Sequence, residues 1–188
     1  MKYANIKKHD IANGPGVRVS LFVSGCNHRC KGCFNSIAWD FNYGNEFTDD
    51  TINEIIEALD KNYIDGLSLL GGEPLEELNQ QDVLKLIREV KEKLPNKTIW
   101  LYSGFTYEEI SNMKTKEIND IIKNIDVLVD GKFEIDLYDP ALFFRGSSNQ
   151  RIINIQETLK KKEIILHEKN IKEEYKKLWI YKILTLNY

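Results

Sequence analysis

Apolar residues recur along the chain in two rhythms, and the rhythm changes at regular intervals. Val17, Val19, Leu21 and Val23 alternate with Arg18, Ser20 and Phe22, the two-residue period of a strand. Ile52, Ile55, Ile56 and Leu59 then follow at helical spacing. Thr48 stands where that helix needs an N-cap, and Asp49 and Asp50 complement its dipole. A second strand is expected over Gly66 to Leu70. A second helix is expected over Asp82 to Leu94, stopped by Pro95 and Asn96. Thr98 to Tyr102 reads as a third strand, and Thr106-Tyr107-Glu108-Glu109 as a capping box opening a short helix. Ile118, Ile121, Ile122 and Ile125 mark a further helix, Asp126 to Val129 a fourth strand and Arg151 to Ile155 a fifth.

The remaining stretches are less periodic. Tyr3 to Ile11 reads as a polar lead-in. Asn13-Gly14-Pro15-Gly16 reads as a turn, either on the surface or near the mouth of a site. Phe34 to Phe41 carries Phe34, Trp39 and Phe41 as an irregular aromatic cover. Glu134 to Gln150 is a loop of a length usually kept for function. Ile164 to Leu166 is a candidate edge strand. The tail from Asn170 to Tyr188 reads either as an amphipathic helix or as a solvated appendage.

Strand–helix alternation argues for an α/β fold with parallel strands and right-handed crossovers. With about five or six strands, a β/α barrel built this way is incomplete, and its active site belongs at the C-terminal strand ends. The motifs fall there. The cysteine loop follows the first strand, Gly71-Gly72-Glu73-Pro74 the second, Ser103-Gly104 the third and Asp130-Gly131-Lys132 the fourth.

A length of 188 residues suits one well-cored domain. A net charge of −3 gives no electrostatic case for nucleic acid or an anionic membrane. The N-terminal stretch lacks the apolar run of a signal peptide, and no stretch is long enough to span a bilayer. With thiols kept reduced, the expected location is the cytoplasm.

Chemistry concentrates in Ser24-Gly25-Cys26-Asn27-His28-Arg29-Cys30-Lys31-Gly32-Cys33, which holds all 3 cysteines of the chain. An odd count argues against a disulfide framework. A structural zinc site would be one ligand short. Three thiolates on one loop suit an iron–sulfur cluster, which ordinarily takes four. One iron would then be left for a substrate or cofactor.

The Cys-x-x-x-Cys-x-x-Cys spacing, followed by Gly71-Gly72-Glu73-Pro74, resembles the radical S-adenosylmethionine (SAM) superfamily. Gly32 departs from its common pattern, in which an aromatic residue precedes the third cysteine. Several stretches are closely similar to the anaerobic ribonucleoside-triphosphate reductase-activating family of glycyl-radical activating enzymes. They include Asn13 to Arg18, Leu21 to Cys26, Cys30 to Asn35, Val127 to Phe133 and Phe144 to Arg151. The resemblance implies a partial barrel of the radical SAM type, with helices outside a mostly parallel sheet. It implies a core over residues 1–155 and a C-terminal extension over 156–188. Cys26, Cys30 and Cys33 would ligate a 4Fe–4S cluster with an open iron, and SAM would chelate that iron. Gly32, Cys33 and Phe34 would lie against SAM, and Gly71, Gly72 and Glu73 would hold its methionine end. Ser103 would serve its adenosyl or carboxylate side, and Asp130 and Lys132 its ribose or the incoming substrate loop. An electron from reduced flavodoxin or ferredoxin would cleave SAM, and a hydrogen atom would be taken from a glycine of the partner reductase. No general base is needed, because the cofactor carries the chemistry.

Two other readings stand beside this one. An activase for another glycyl-radical enzyme, of the pyruvate formate-lyase type, would share the chemistry. A non-catalytic zinc-binding interaction module would use the cysteines with His28 or water, and would leave Gly71 to Pro74 unexplained.

Overall fold

The computed structural model describes residues 1–167. Seven strands form one sheet in the order β3-β1-β2-β4-β5-β6-β7. They are β1 (Lys2–Asp10), β2 (Arg18–Val23), β3 (Asn45–Glu46), β4 (Gly66–Gly71), β5 (Thr98–Tyr102), β6 (Val127–Asp130) and β7 (Arg151–Asn154). The central strands β2, β4, β5 and β6 pair in parallel. β1 runs antiparallel to β2 and β3, and β7 antiparallel to β6. Among the described residues, five α-helices complete the α/β layer: α1 (Asp49–Leu59), α2 (Glu77–Lys93), α3 (Tyr107–Asn112), α4 (Lys116–Asn124) and α5 (Ile155–Lys161). Among the described residues, no helix is long and apolar enough to cross a membrane.

Register separates the two faces of the sheet. Leu21, Leu69, Leu101 and Leu128 lie in one row across β2, β4, β5 and β6. They meet Ile55 and Leu59 of α1, Val83 and Ile87 of α2, Ile110 of α3, Ile121 of α4 and Ile155 of α5 in a single core. Each fully buried aliphatic side chain there contributes roughly 1.5–3 kcal/mol. The neighbouring row, Ser20, Ser68, Trp100 and Val127, belongs to the other face. On that face Trp100, Val127, Val129 and Ile152 form a smaller cluster with Tyr102 and Phe144, and no residue of the five helices takes part.

Helix starts follow the sequence closely in places. Thr48 caps α1 and exchanges hydrogen bonds with Thr51 in a capping box. Thr106 and Glu109 form the expected box at α3. Elsewhere the structure corrects the expectation. The lead-in is strand β1, whose Lys, Asn and His residues mask a register in which only Tyr3 and Ile6 reach the core. α2 begins at Glu77, five residues before the expected Asp82. Its first turns carry inward polar residues, since buried Asn79 donates to Ser24 O at 3.0 Å and Glu73 O at 2.9 Å. The fifth strand gives way at Ile155 to α5, capped by Asn154. The segment at Ile164 to Leu166 pairs with β7 through a single bridge, Ile153 with Leu166. The tail from Asn170 onward lies outside the described residues.

Candidate active site

The chain leaves β2 through Gly25, whose φ of 93° and closeness to the Phe41 ring exclude a side chain. Gly25 N–H donates to Ala38 O at 2.8 Å and Cys26 N–H to Trp39 O at 3.2 Å, so the 3₁₀ turn Ser36–Trp39 braces the cysteine loop. The loop is also stitched to the next strand end. Gly72 N–H reaches Val23 O at 2.7 Å, and Glu73 N–H reaches Gly25 O at 2.8 Å. Asn27 donates from its backbone and its side chain to Glu76 at 2.8 and 3.0 Å. Gly71, at φ 112°, and Gly72 are required by this stitching. A Cβ on Gly71 would fall 2.6 Å from Val23 O, and one on Gly72 would fall 2.5 Å from Gly25 O.

These strand ends wall one cavity of about 320 Å³. Cys26, Cys30 and Cys33 line it together with Gly71, Gly72 and Glu73, Ser103 and Gly104, and Gly131. Phe34 stands at its mouth, 85% exposed, instead of covering it. Aromatic wall comes from Trp39, Phe133 and Phe144. Ala12 and Asn13 line it too, although their loop joins β1 to the start of β2, at the strand ends opposite the cysteines. The Asn13 to Gly16 turn thus begins at the cavity wall with Asn13 and ends at the surface with exposed Gly16.

Not every expected residue reaches this space. Gly32, Asp130 and Lys132 are absent from its walls. Asp130 is buried and accepts from Tyr107 N–H at 2.7 Å and Arg151 Nε at 3.0 Å, holding the start of α3 against β7. Arg151 also binds Glu108, which brings that carboxyl down to about 2. Lys132 is exposed, and its charge is felt at the Cys30 thiol. Among the wall residues, Tyr102 had no motif to announce it. Tyr102 closes an apolar strand run, and its buried hydroxyl has no hydrogen-bond partner among the described residues. Burial pushes this phenol upward, so it remains a proton donor. Gln150 ties the Arg145 to Gln150 loop to the end of β6, accepting from Gly146 N–H at 2.9 Å and donating to Gly131 O at 3.0 Å.

The donor set fits an iron–sulfur cluster. Burial pushes the Cys26 thiol up to about 11, while N–H groups of His28 and Arg29 directed at its sulfur oppose the shift. Burial also raises Cys30, opposed by Phe133 N–H. Peptide N–H groups aimed at sulfur are what cluster thiolates require. Among the described residues, no three His, Cys, Asp or Glu side chains converge as ligands of one ion. The thiolates of a four-iron cluster sit on separate irons. The orphaned Tyr102 hydroxyl, on the same wall, suits a ligand with an acceptor.

Comparison with known proteins agrees with this chemistry. Residues 12–153 match the 4Fe-4S single cluster domain family. The anaerobic ribonucleoside-triphosphate reductase-activating protein of Enterobacteria phage T4 is 42% identical over 152 residues, which is 81% of this chain and 93% of the phage protein. The protein of that name from Escherichia coli K12 is 43% identical over 158 residues, 83% of this chain and 100% of its own length. That from Vibrio cholerae is 43% identical over 154 residues, 81% and 97% of the two chains. With a cluster-domain match over most of its length and relatives 42% and 43% identical over 81% and 83% of it, the chain belongs to the family of anaerobic ribonucleoside-triphosphate reductase-activating proteins.

Proposed function

We propose that this chain is a radical SAM activase that places a glycyl radical on an anaerobic ribonucleoside-triphosphate reductase. One observation carries the reading: three cysteines, Gly71 to Glu73 and Ser103, from three successive parallel strands, wall a single cavity. When bound, a 4Fe–4S cluster and SAM supply reductive cleavage of SAM and removal of a hydrogen atom from the partner's glycine.

The protein's share is to hold, orient and shield. Cys26, Cys30 and Cys33 hold the cluster, and N–H groups of His28, Arg29 and Phe133 support their sulfurs. Cys33 and Phe34, which line the cavity, flank SAM, and Gly32 serves it by shaping the turn before Cys33. Gly71, Gly72 and Glu73 receive its methionine end, and Ser103 its adenosyl or carboxylate side. Lys132 contributes charge beside Cys30. Asp130 acts through Arg151 and α3. Phe133, Phe144 and Trp39 limit water. Exposed Phe34, Ile37, Tyr138 and Phe143 give the molecule apolar surface suited to a protein substrate. The helices on one face and the cavity at the strand ends support an incomplete barrel of the radical SAM type. A core over residues 1–155, reduced flavodoxin or ferredoxin as electron donor and a cytoplasmic setting complete the reading.

The test is EPR of the anaerobically reconstituted, dithionite-reduced protein, with and without SAM, followed by mixing with the reductase. A reduced-cluster signal that SAM alters, and a glycyl radical on the reductase, are the expected results. A colourless protein that retains zinc and no iron would overturn the assignment.

A further inference from the structure

Glu73 is fully buried, yet three donors converge on its carboxylate, two of them from other segments of the chain. Its Oε1 accepts Leu75 N–H at 3.0 Å. Its Oε2 accepts Gly104 N–H at 2.7 Å and His28 Nε2 at 2.9 Å. His28 lies between cluster ligands Cys26 and Cys30, and its side chain is only 6% exposed. Its ring meets Phe105 edge-on at 4.3 Å between centroids. Gly104 has no room for a side chain, since a Cβ would stand 2.4 Å from His28 Cδ2. The imidazole is therefore locked by a hydrogen bond on one side and by packing on two others.

We propose that His28 and Glu73 form a positioning clamp that fixes the cysteine loop in register with the Gly71 to Glu73 turn and the Ser103-Gly104 turn. His28 shares the cavity wall with the cysteines, and in this role it acts through Glu73. Through Glu73 it sets the spacing between the loop that carries the cluster and the two turns that receive SAM. Such outer contacts set how first ligands are presented, and removing them typically costs about 10- to 100-fold in affinity or activity. One consequence separates the clamp from a simpler role for Glu73. If Glu73 served only as a direct contact to SAM, removing His28 would leave SAM affinity unchanged. With a clamp, the two residues act as a unit and their losses do not add.

The proposal rests on the radical SAM reading and is tested by a double-mutant cycle in the reconstituted full chain. The variants are His28→Ala, Glu73→Ala, the pair together and His28→Gln, which keeps an N–H donor. SAM affinity is read from the SAM-induced change in the cluster's EPR signal, beside iron content and thermal midpoint. Loss of affinity in both single variants by about tenfold or more, a double variant no worse than either, and recovery in His28→Gln support the clamp. Unchanged affinity in His28→Ala, or losses that multiply in the double variant, would overturn it. A variant too unstable to reconstitute is replaced by Gly104→Ala, which crowds the same ring. Normal affinity there, with a folded chain, counts against the clamp. Wild-type protein whose EPR ignores SAM would sink the functional reading instead. The clamp is then read from the line shape of the reduced cluster, which His28→Ala should alter and His28→Gln should restore.

Discussion

Arg18 Nε donates to Ser68 Oγ at 2.8 Å, and the Ser68 hydroxyl in turn donates to Asn13 O on the cavity wall. The same guanidinium reaches Thr98 Oγ1 at 3.0 Å, Leu67 O at 2.8 Å and Thr98 O at 3.0 Å, and lies over the Trp100 ring. It is fully buried, and burial lowers it to about 10, so it stays charged at neutral pH. Arg18→Ala should cost on the order of 3 kcal/mol or more, from lost charged hydrogen bonds and a cavity. Arg18→Lys should recover only part of this, because a point charge cannot reach four acceptors. Urea unfolding checks both, and an Arg18→Ala chain as stable as wild type would refute the strut.

Asp10 anchors the same loop, accepting from Ala12 N–H at 2.9 Å and Asn13 Nδ2 at 2.6 Å. Burial works to raise its carboxyl, but the nearby Ser20 hydroxyl and the hydrogen bonds from Asn13 and Ala12 outweigh it, and the net shift is below the ordinary 3.8. A carboxylate depressed on folding adds stability above its unfolded value, and that stability is lost as pH falls through the folded value. Asp10→Asn should therefore be less stable than wild type at about pH 7, with the gap narrowing as pH falls below the ordinary 3.8. A gap that is constant with pH would show that the charge is not what matters.

Cys26→Ala, Cys30→Ala and Cys33→Ala should each abolish a cluster with an open iron and all SAM cleavage. Cys30 and Cys33 are only half-buried, so these two variants should keep the wild-type fold by circular dichroism. Iron analysis and anaerobic turnover of SAM supply the measurements, and full cleavage in any one variant defeats the ligand assignment.

Gly71 and Gly131 make a matched pair. Both have positive φ, 112° and 97°. A Cβ on Gly131 finds nothing closer than 3.7 Å, whereas one on Gly71 strikes the β2 backbone at 2.6 Å. Gly131→Ala should cost about 1–2 kcal/mol, the left-handed penalty alone. Gly71→Ala should cost clearly more and should disturb cluster assembly, because it pushes β4 from the strand that feeds the cysteine loop. Equal thermal shifts in the two variants would contradict this account.

What the sequence disclosed followed from strong local signals. β2, β4, β5 and β6 were legible because apolar runs of strand length end at glycine or polar turns, and α1 and α3 because their caps are written in Thr48 and Thr106. The cysteine loop declared its chemistry by number and spacing. β1 escaped because a strand with few inward apolar residues has no visible period. The start of α2 escaped because Asn79 and Gln80 face inward for hydrogen bonding. The polar underside of the site was hidden for a similar reason. Arg18 and Ser20 look like the solvent side of an alternating strand, but both are fully buried. Asp130 looked like a ligand by spacing, while its lone pairs are taken by Tyr107 N–H and Arg151. Tyr102 carried no signal, since a tyrosine in an apolar run reads as core.

All five helices contribute their apolar side chains to one face of the sheet, and the cavity's chemistry gathers at the strand ends and on the other. The molecule is thereby divided into a foundation and a workbench. Substitutions under the helices tax folding and leave the tools in place. On the other side, outside the buried Arg18 strut, substitutions at the cavity wall can retune which substrates are admitted while the foundation stands. A lineage built this way is free to change its clientele by editing one surface, without renegotiating the fold that carries it.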